Sequence, residues 1–101
     1  MSLMLILEAL MQQRHLNLKE IEETLPQGSS QDLIHIADVT FKILRLEARK
    51  RDVTSTTFFR SFLDPFTENI ESWLRAEGFT VKWAEPFLSK PNTVLQVQWS
   101  S

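Results

Sequence analysis

The stretch "GFTVKW" (78–83) places Phe79, Val81 and Trp83 at every second position, and "TVLQVQW" (93–99) answers with Leu95, Val97 and Trp99. Alternation of this kind is the period of a half-buried strand. Thr80, Lys82 and Ala84 fill the alternate places of the first strip, Gln96 and Gln98 those of the second. The pattern predicts a C-terminal antiparallel hairpin, apolar on one face. Pro86 and Pro91, in the link "AEPFLSKPN", bar that link from continuing either strand. Burying the six apolar side chains contributes on the order of 10 kcal/mol before chain entropy is counted. Two strands alone are marginal in water, so helices must cover the apolar face.

Working back from the hairpin, Phe66, Ile70, Trp73 and Leu74 form a helical stripe. Asp64 suits the N-cap and Pro65 the first helical position, while Gly78 stands where a left-handed C-cap residue belongs. A helix over 64–77 is predicted. Before it, "TSTTFFRSF" (54–62) reads as a hinge in which Thr54 and Ser55 cap a short turn carrying Phe58, Phe59 and Phe62.

Further back, His35, Asp38, Lys42, Arg45, Arg49 and Asp52 recur at steps of three and four. That spacing puts them on one side of a helix, with Leu33, Ile36, Ala37, Thr40, Ile43 and Leu44 on the other. "VTFKI" (39–43) also alternates and is β-branched, but the longer helical register predicts a helix over roughly 30–50. "SSQD" (29–32) marks its start. In "NLKEIEETLP" (17–26), Asn17 and Glu20 have the spacing of a capping box, and Pro26 and Gly28 stop the helix. At the N-terminus, Leu3, Ile6, Leu7, Leu10 and Met11 form a stripe that Met4 and Leu5 widen. A helix apolar nearly all round is covered on several sides, and in so small a domain a second subunit is a candidate cover.

A chain of 101 residues forms one domain, 1–101. Its formal charge of −2 creates no global cationic field for nucleic acid or acidic membranes. The absence of cysteine excludes disulfides, thiolate nucleophiles and thiolate metal sites. "LMLILEALM" (3–11), broken by Glu8, is far below the roughly 20 residues needed to span a bilayer and lacks the flanks of a signal peptide. The expected location is the cytoplasm, that of the host for a phage-encoded chain.

Little in the chain points to bond-making chemistry. The two glycines leave no phosphate loop, and no serine stands in a nucleophile elbow. His35 and Asp38 lie one turn apart, but two ligands do not make a zinc site. No enzyme, cofactor, metal or small-molecule ligand is expected. A sheet of two strands has free edges that are either protected or paired. Pairing with a second copy would give a four-stranded sheet across a dimer. The predicted interaction surface is Leu3, Met4, Ile6, Leu7, Trp83 and Trp99, serving a homo-oligomer or a protein partner. Base stacking on Trp83 and Trp99 would require their face to be open. The alternative surface is basic: Lys42, Arg45, Arg49, Lys50 and Arg51 hold five of the eleven cations within ten positions. As a nucleic-acid footprint it competes with the simpler reading of cations at a helix C-terminus.

The segment "ILEALMQQRHLNLKEIEETLPQGSSQDLIHIADVTFKILRLE" resembles the helix–turn–helix core of winged-helix proteins. The likeness rests on "LNLKEIEETL" between an apolar first helix and a third helix, with the C-terminal hairpin as a wing. It implies nucleic-acid binding, although Asp32 and Asp38 stand where contacting residues would be wanted. A second resemblance, "LRAEGFTVKW" followed by "VLQVQW", is to small proteins of tailed phages and prophages. It implies an origin rather than an activity. The whole predicts an α+β domain of about four helices on a two-stranded hairpin, acting as a self-associating, non-enzymatic interaction module.

Overall fold

A computed structural model describes residues 4–84 and 93–99. Leu3 and the link 85–92, with the roles expected of Pro86 and Pro91, lie outside the described residues. Five helices and three strands follow one another among the described residues: α1 (Leu5–Met11), α2 (Leu18–Thr24), α3 (Gln31–Ala48), β1 (Ser55–Phe59), α4 (Arg60–Leu63), α5 (Thr67–Ala76), β2 (Thr80–Ala84) and β3 (Val94–Gln98).

The hairpin forms with the expected faces. Val81 lies opposite Val97 and Trp83 opposite Leu95, in antiparallel register. Phe79, Val81, Leu95 and Val97 are buried, while Trp83 and Trp99 are half-buried against the core. The sheet, however, has three strands in the order β1-β3-β2, so the expected two-stranded hairpin is corrected. The third strand is "STTFF" (55–59), read above as a hinge. Its β-branched and aromatic residues suit a strand, and β3 supplies the partner, with Thr56 opposite Val97 and Phe58 opposite Leu95. The spacing that suggested a helical turn has a different basis. Phe62, on the one-turn helix α4, stacks on Phe58 with ring centroids 6.2 Å apart.

α5 begins later than its cap signals indicated. The Asp64–Pro65 peptide is cis, and Phe66 occupies the N-cap position without a side-chain cap. The Asp64 carboxylate accepts instead from the Thr67 hydroxyl at 2.5 Å. At the other end the signal holds. Gly78 adopts φ +98°, the Gly78 N–H donates to Arg75 O at 3.1 Å and the Phe79 N–H to Leu74 O at 3.0 Å. This pair of bonds is a Schellman close, which turns the chain directly into β2.

α3 is a continuous helix through "VTFKI", started by Ser30, whose hydroxyl accepts from the Leu33 N–H at 3.2 Å. Its buried residues are Leu33, Ile34, Ala37, Thr40, Phe41, Leu44 and also Asp38, expected on the polar side but only 8% exposed, and Ile36 and Ile43 pack at the margin. The Asn17–Glu20 capping box is present, with bonds of 2.9 and 3.0 Å. α1 and α2 both pack on α3. α2 is also tied to α5, since the Trp73 indole N–H donates to Thr24 Oγ1 at 2.8 Å. The greasy face of α1 is largely satisfied inside the chain: Ile6, Ala9 and Leu10 are fully buried, and Leu5 and Leu7 are half-buried.

Candidate functional site

The hydrogen-bond phase of the sheet decides which edges are available. The Arg60 N–H donates to Thr93 O and the Trp99 N–H to Thr54 O, at 2.8 and 3.0 Å. Antiparallel strands alternate bonded and outward-pointing residues. With Thr54 and Arg60 bonded to the β3 side, the backbone groups of Ser55 and Thr57 and the Phe59 N–H point away from the sheet. They have no backbone partner among the described residues. β1 carries no charge and no proline. Phe59, on the outer face beside Val94, is 66% exposed. Arg60, which could have guarded this strand, turns inward. Its guanidinium lies 4.6 Å from the centre of the Trp83 ring and within 3.8 Å of both Asp64 and Glu68.

The opposite edge is protected. By the same alternation Val81 O points outward from β2, and the Arg75 guanidinium of α5 donates to it at 2.7 Å. Glu71 pairs with and orients Arg75. Lys82 adds a charge to the same strand. One edge is thus plugged and charged, and the other is bare among the described residues.

Of the predicted apolar surface, Met4 is 46% exposed and Leu7 half-buried, while Ile6 is fully buried within the chain. Trp83 and Trp99 pack against the core, so their face is not the open platform that base stacking needs.

The structure divides the predicted basic surface. Lys42, Arg45 and Arg49 line a shallow groove of about 280 Å3 together with His15 and the exposed Leu46. Lys50 pairs with Glu47 at 2.7 Å and Arg51 is exposed, and neither lines the groove. His15 joins because α1 ends in a Schellman close of its own: Gln13 takes φ +56°, with bonds from Gln13 N–H to Leu10 O and from Arg14 N–H to Ala9 O. The Gln13 carbonyl then accepts from Arg45 at 3.1 Å. No sequence spacing announced this pairing, since a C′ position is normally glycine.

Two further clefts flank the end of α2, of about 500 and 470 Å3. The first is lined by Thr24, Glu68, Asn69 and Trp73 among others, the second by Lys19, Glu22 and Glu23. His35 is exposed, and Asp38 is paired with Lys42 at 3.1 Å. Among the described residues, no three His, Cys, Asp or Glu side chains stand close enough to hold a metal ion. Burial pushes the Glu77 carboxyl above its ordinary value, against the lowering effect of N–H bonds from Ile6 and Leu5. That carboxyl serves the start of α1 and faces neither cleft. No described helix is long and apolar enough to cross a membrane. Compared with protein-family models, with curated proteins and with solved structures, the chain matches none.

Proposed function

We propose that the chain is a small non-enzymatic interaction module that self-associates through the β1 edge. The observation that carries this reading is the contrast between the two edges: Arg75 plugs β2, whereas the outer edge of β1 is uncharged and has no partner among the described residues, with its own Phe59 66% exposed. Soluble proteins normally blunt an edge with charge, proline or a cover. A two-fold axis at Thr57 would set Thr57 against its own copy and Ser55 against Phe59. No like charges would meet, and the result would be a six-stranded sheet. This replaces the four-stranded dimer expected from a bare hairpin, because β1 already fills one side of β3.

The winged-helix likeness moves along the chain on this reading. The order α3, β1, α4, α5, β2, β3, with β3 central, resembles a winged helix in which α5 rather than α3 stands in the recognition position. The exposed face of α5 carries Glu68, Asn69 and Ser72, and its one cation, Arg75, is engaged by Glu71 and Val81 O. Such a face offers phosphates no unengaged cation, which favours a protein-binding role over groove recognition.

Sedimentation velocity between about 1 and 100 μM tests the proposal, a range chosen for micromolar association. A concentration-dependent dimer is expected, abolished by Thr57→Lys, which sets two ammonium groups opposite each other. A single monomeric species throughout the range removes the reading.

A further inference from the structure

We propose that the groove of His15, Lys42, Arg45, Leu46 and Arg49 binds the backbone of a single-stranded nucleic acid. This site is separate from the β1 edge and does not depend on self-association.

Two of the groove's cations carry charge that no carboxylate among the described residues offsets. Arg49 has no ion pair among the described residues, and Arg45 spends its hydrogen bond on the neutral carbonyl of Gln13. Of the three groove cations on α3, only Lys42 is paired, to Asp38. On the His15 side, Glu20 is engaged by Arg14 at 3.6 Å. The geometry then selects the ligand. Lys42, Arg45 and the C-cap residue Arg49 form a row along the last two turns and end of α3, a rise of about 10 Å. A single small anion needs donors that converge on one point. A row suits a line of charges, and a single strand laid along it presents successive phosphates to the three cations. Leu46, 58% exposed within the row, offers an apolar contact to a sugar or base. The groove is shallow, and the chain carries a net charge of −2. Binding is therefore local and strongly salt-dependent, without long-range steering.

The test is fluorescence anisotropy with a labelled oligothymidine single strand. Three phosphate contacts give a log–log salt slope of about −2, so affinity falls about 15- to 20-fold between about 50 and 200 mM salt. Arg45→Gln with Arg49→Gln should leave one contact and reduce that fall to about 2.5-fold. Arg49→Gln alone, at an exposed position with no bond to lose, should give an intermediate slope and guards against misfolding of the double variant. Lys19→Gln with Lys82→Gln makes the same change in net charge away from the groove and should leave binding intact. Absence of binding at low salt, or equal loss in the Lys19/Lys82 control, would overturn the proposal. So would equal or tighter binding to duplex DNA or to phosphatidylserine vesicles, or full competition by millimolar inorganic phosphate.

Discussion

The Glu77 carboxylate accepts the Ile6 N–H at 2.9 Å, joining the end of α5 to the first turn of α1 across 71 residues of sequence. α1 has no side-chain cap of its own. Its N-terminal N–H groups would otherwise be orphaned beside the core, and Glu77 satisfies them with an acceptor of the sign that the helix dipole favours. Glu77 is only 7% exposed, and burial outweighs the N–H bonds in setting its acidity.

That balance has a definite sign with pH. A carboxyl whose folded pKa is raised binds more protons in the folded state than in the unfolded one. Its contribution is fully present below the unfolded value, about 4.3, and is lost as pH rises through the folded value. Glu77→Gln keeps an oxygen for the Ile6 N–H but cannot ionise. The stability of the wild type relative to Glu77→Gln should therefore decline as pH rises from about 4 to 7. Denaturant unfolding of both proteins across that range measures it, and a difference that grows with pH would contradict the raised pKa.

Gly78 faces α1 at close range. A Cβ there would stand 2.8 Å from Met4 Sδ and 2.9 Å from Leu7 Cδ2, in addition to the strain of φ +98°. Gly28 has a similar φ of +87° with no described residue within 4 Å of the added carbon. Gly28→Ala should cost about 1–2 kcal/mol, the conformational penalty alone. Gly78→Ala should cost more, about 2–3 kcal/mol, because the Met4 and Leu7 side chains must move aside as well. Equal losses in chemical denaturation would mean that Met4 and Leu7 give way without cost.

The Trp73 indole and Thr24 hydroxyl bridge α5 to α2 at 2.8 Å. Thr24→Val keeps the shape but leaves the indole N–H of a residue only 3% exposed without its acceptor. A loss of about 1 kcal/mol is expected. A double-mutant cycle with Trp73→Phe should return a coupling of about that size. A coupling indistinguishable from zero would show that the bond adds nothing to stability.

Thr40 presents the opposite case. It is fully buried in α3, and its hydroxyl has no hydrogen-bond partner among the described residues. Thr40→Val replaces the hydroxyl by a methyl of similar size, and a stability gain of about 1 kcal/mol is expected from relief of the unpaired group. A higher thermal midpoint with unchanged far-ultraviolet circular dichroism would confirm it. A loss would reveal a partner for that hydroxyl.

Much of the fold was legible because its signals are local. Asn17 and Glu20 are three residues apart and cap each other's backbone. Gly78 closes α5 through bonds spanning a few residues. The alternation from Phe79 to Trp83 is the pleat itself. β1 was not legible, because "STTFF" is only five residues long and its partner β3 lies about forty residues further on. The Phe58–Phe62 spacing meanwhile imitates a helical turn. Of the basic surface, the α3 row could be read from helical spacing. The addition of His15 could not, since it depends on a left-handed Gln13 and on the packing of α1 against α3.

By itself the sequence determined the class of the domain, the faces of its helices and hairpin, and the lack of thiol chemistry, since periodicity and composition act over one or two turns of chain. Only the tertiary structure decided that β3 lies between two strands, that Arg75 seals one edge while Arg60 folds away from the other, and that His15 faces the α3 cations. Those outcomes depend on contacts between segments distant in the chain, whose energies no local spacing encodes.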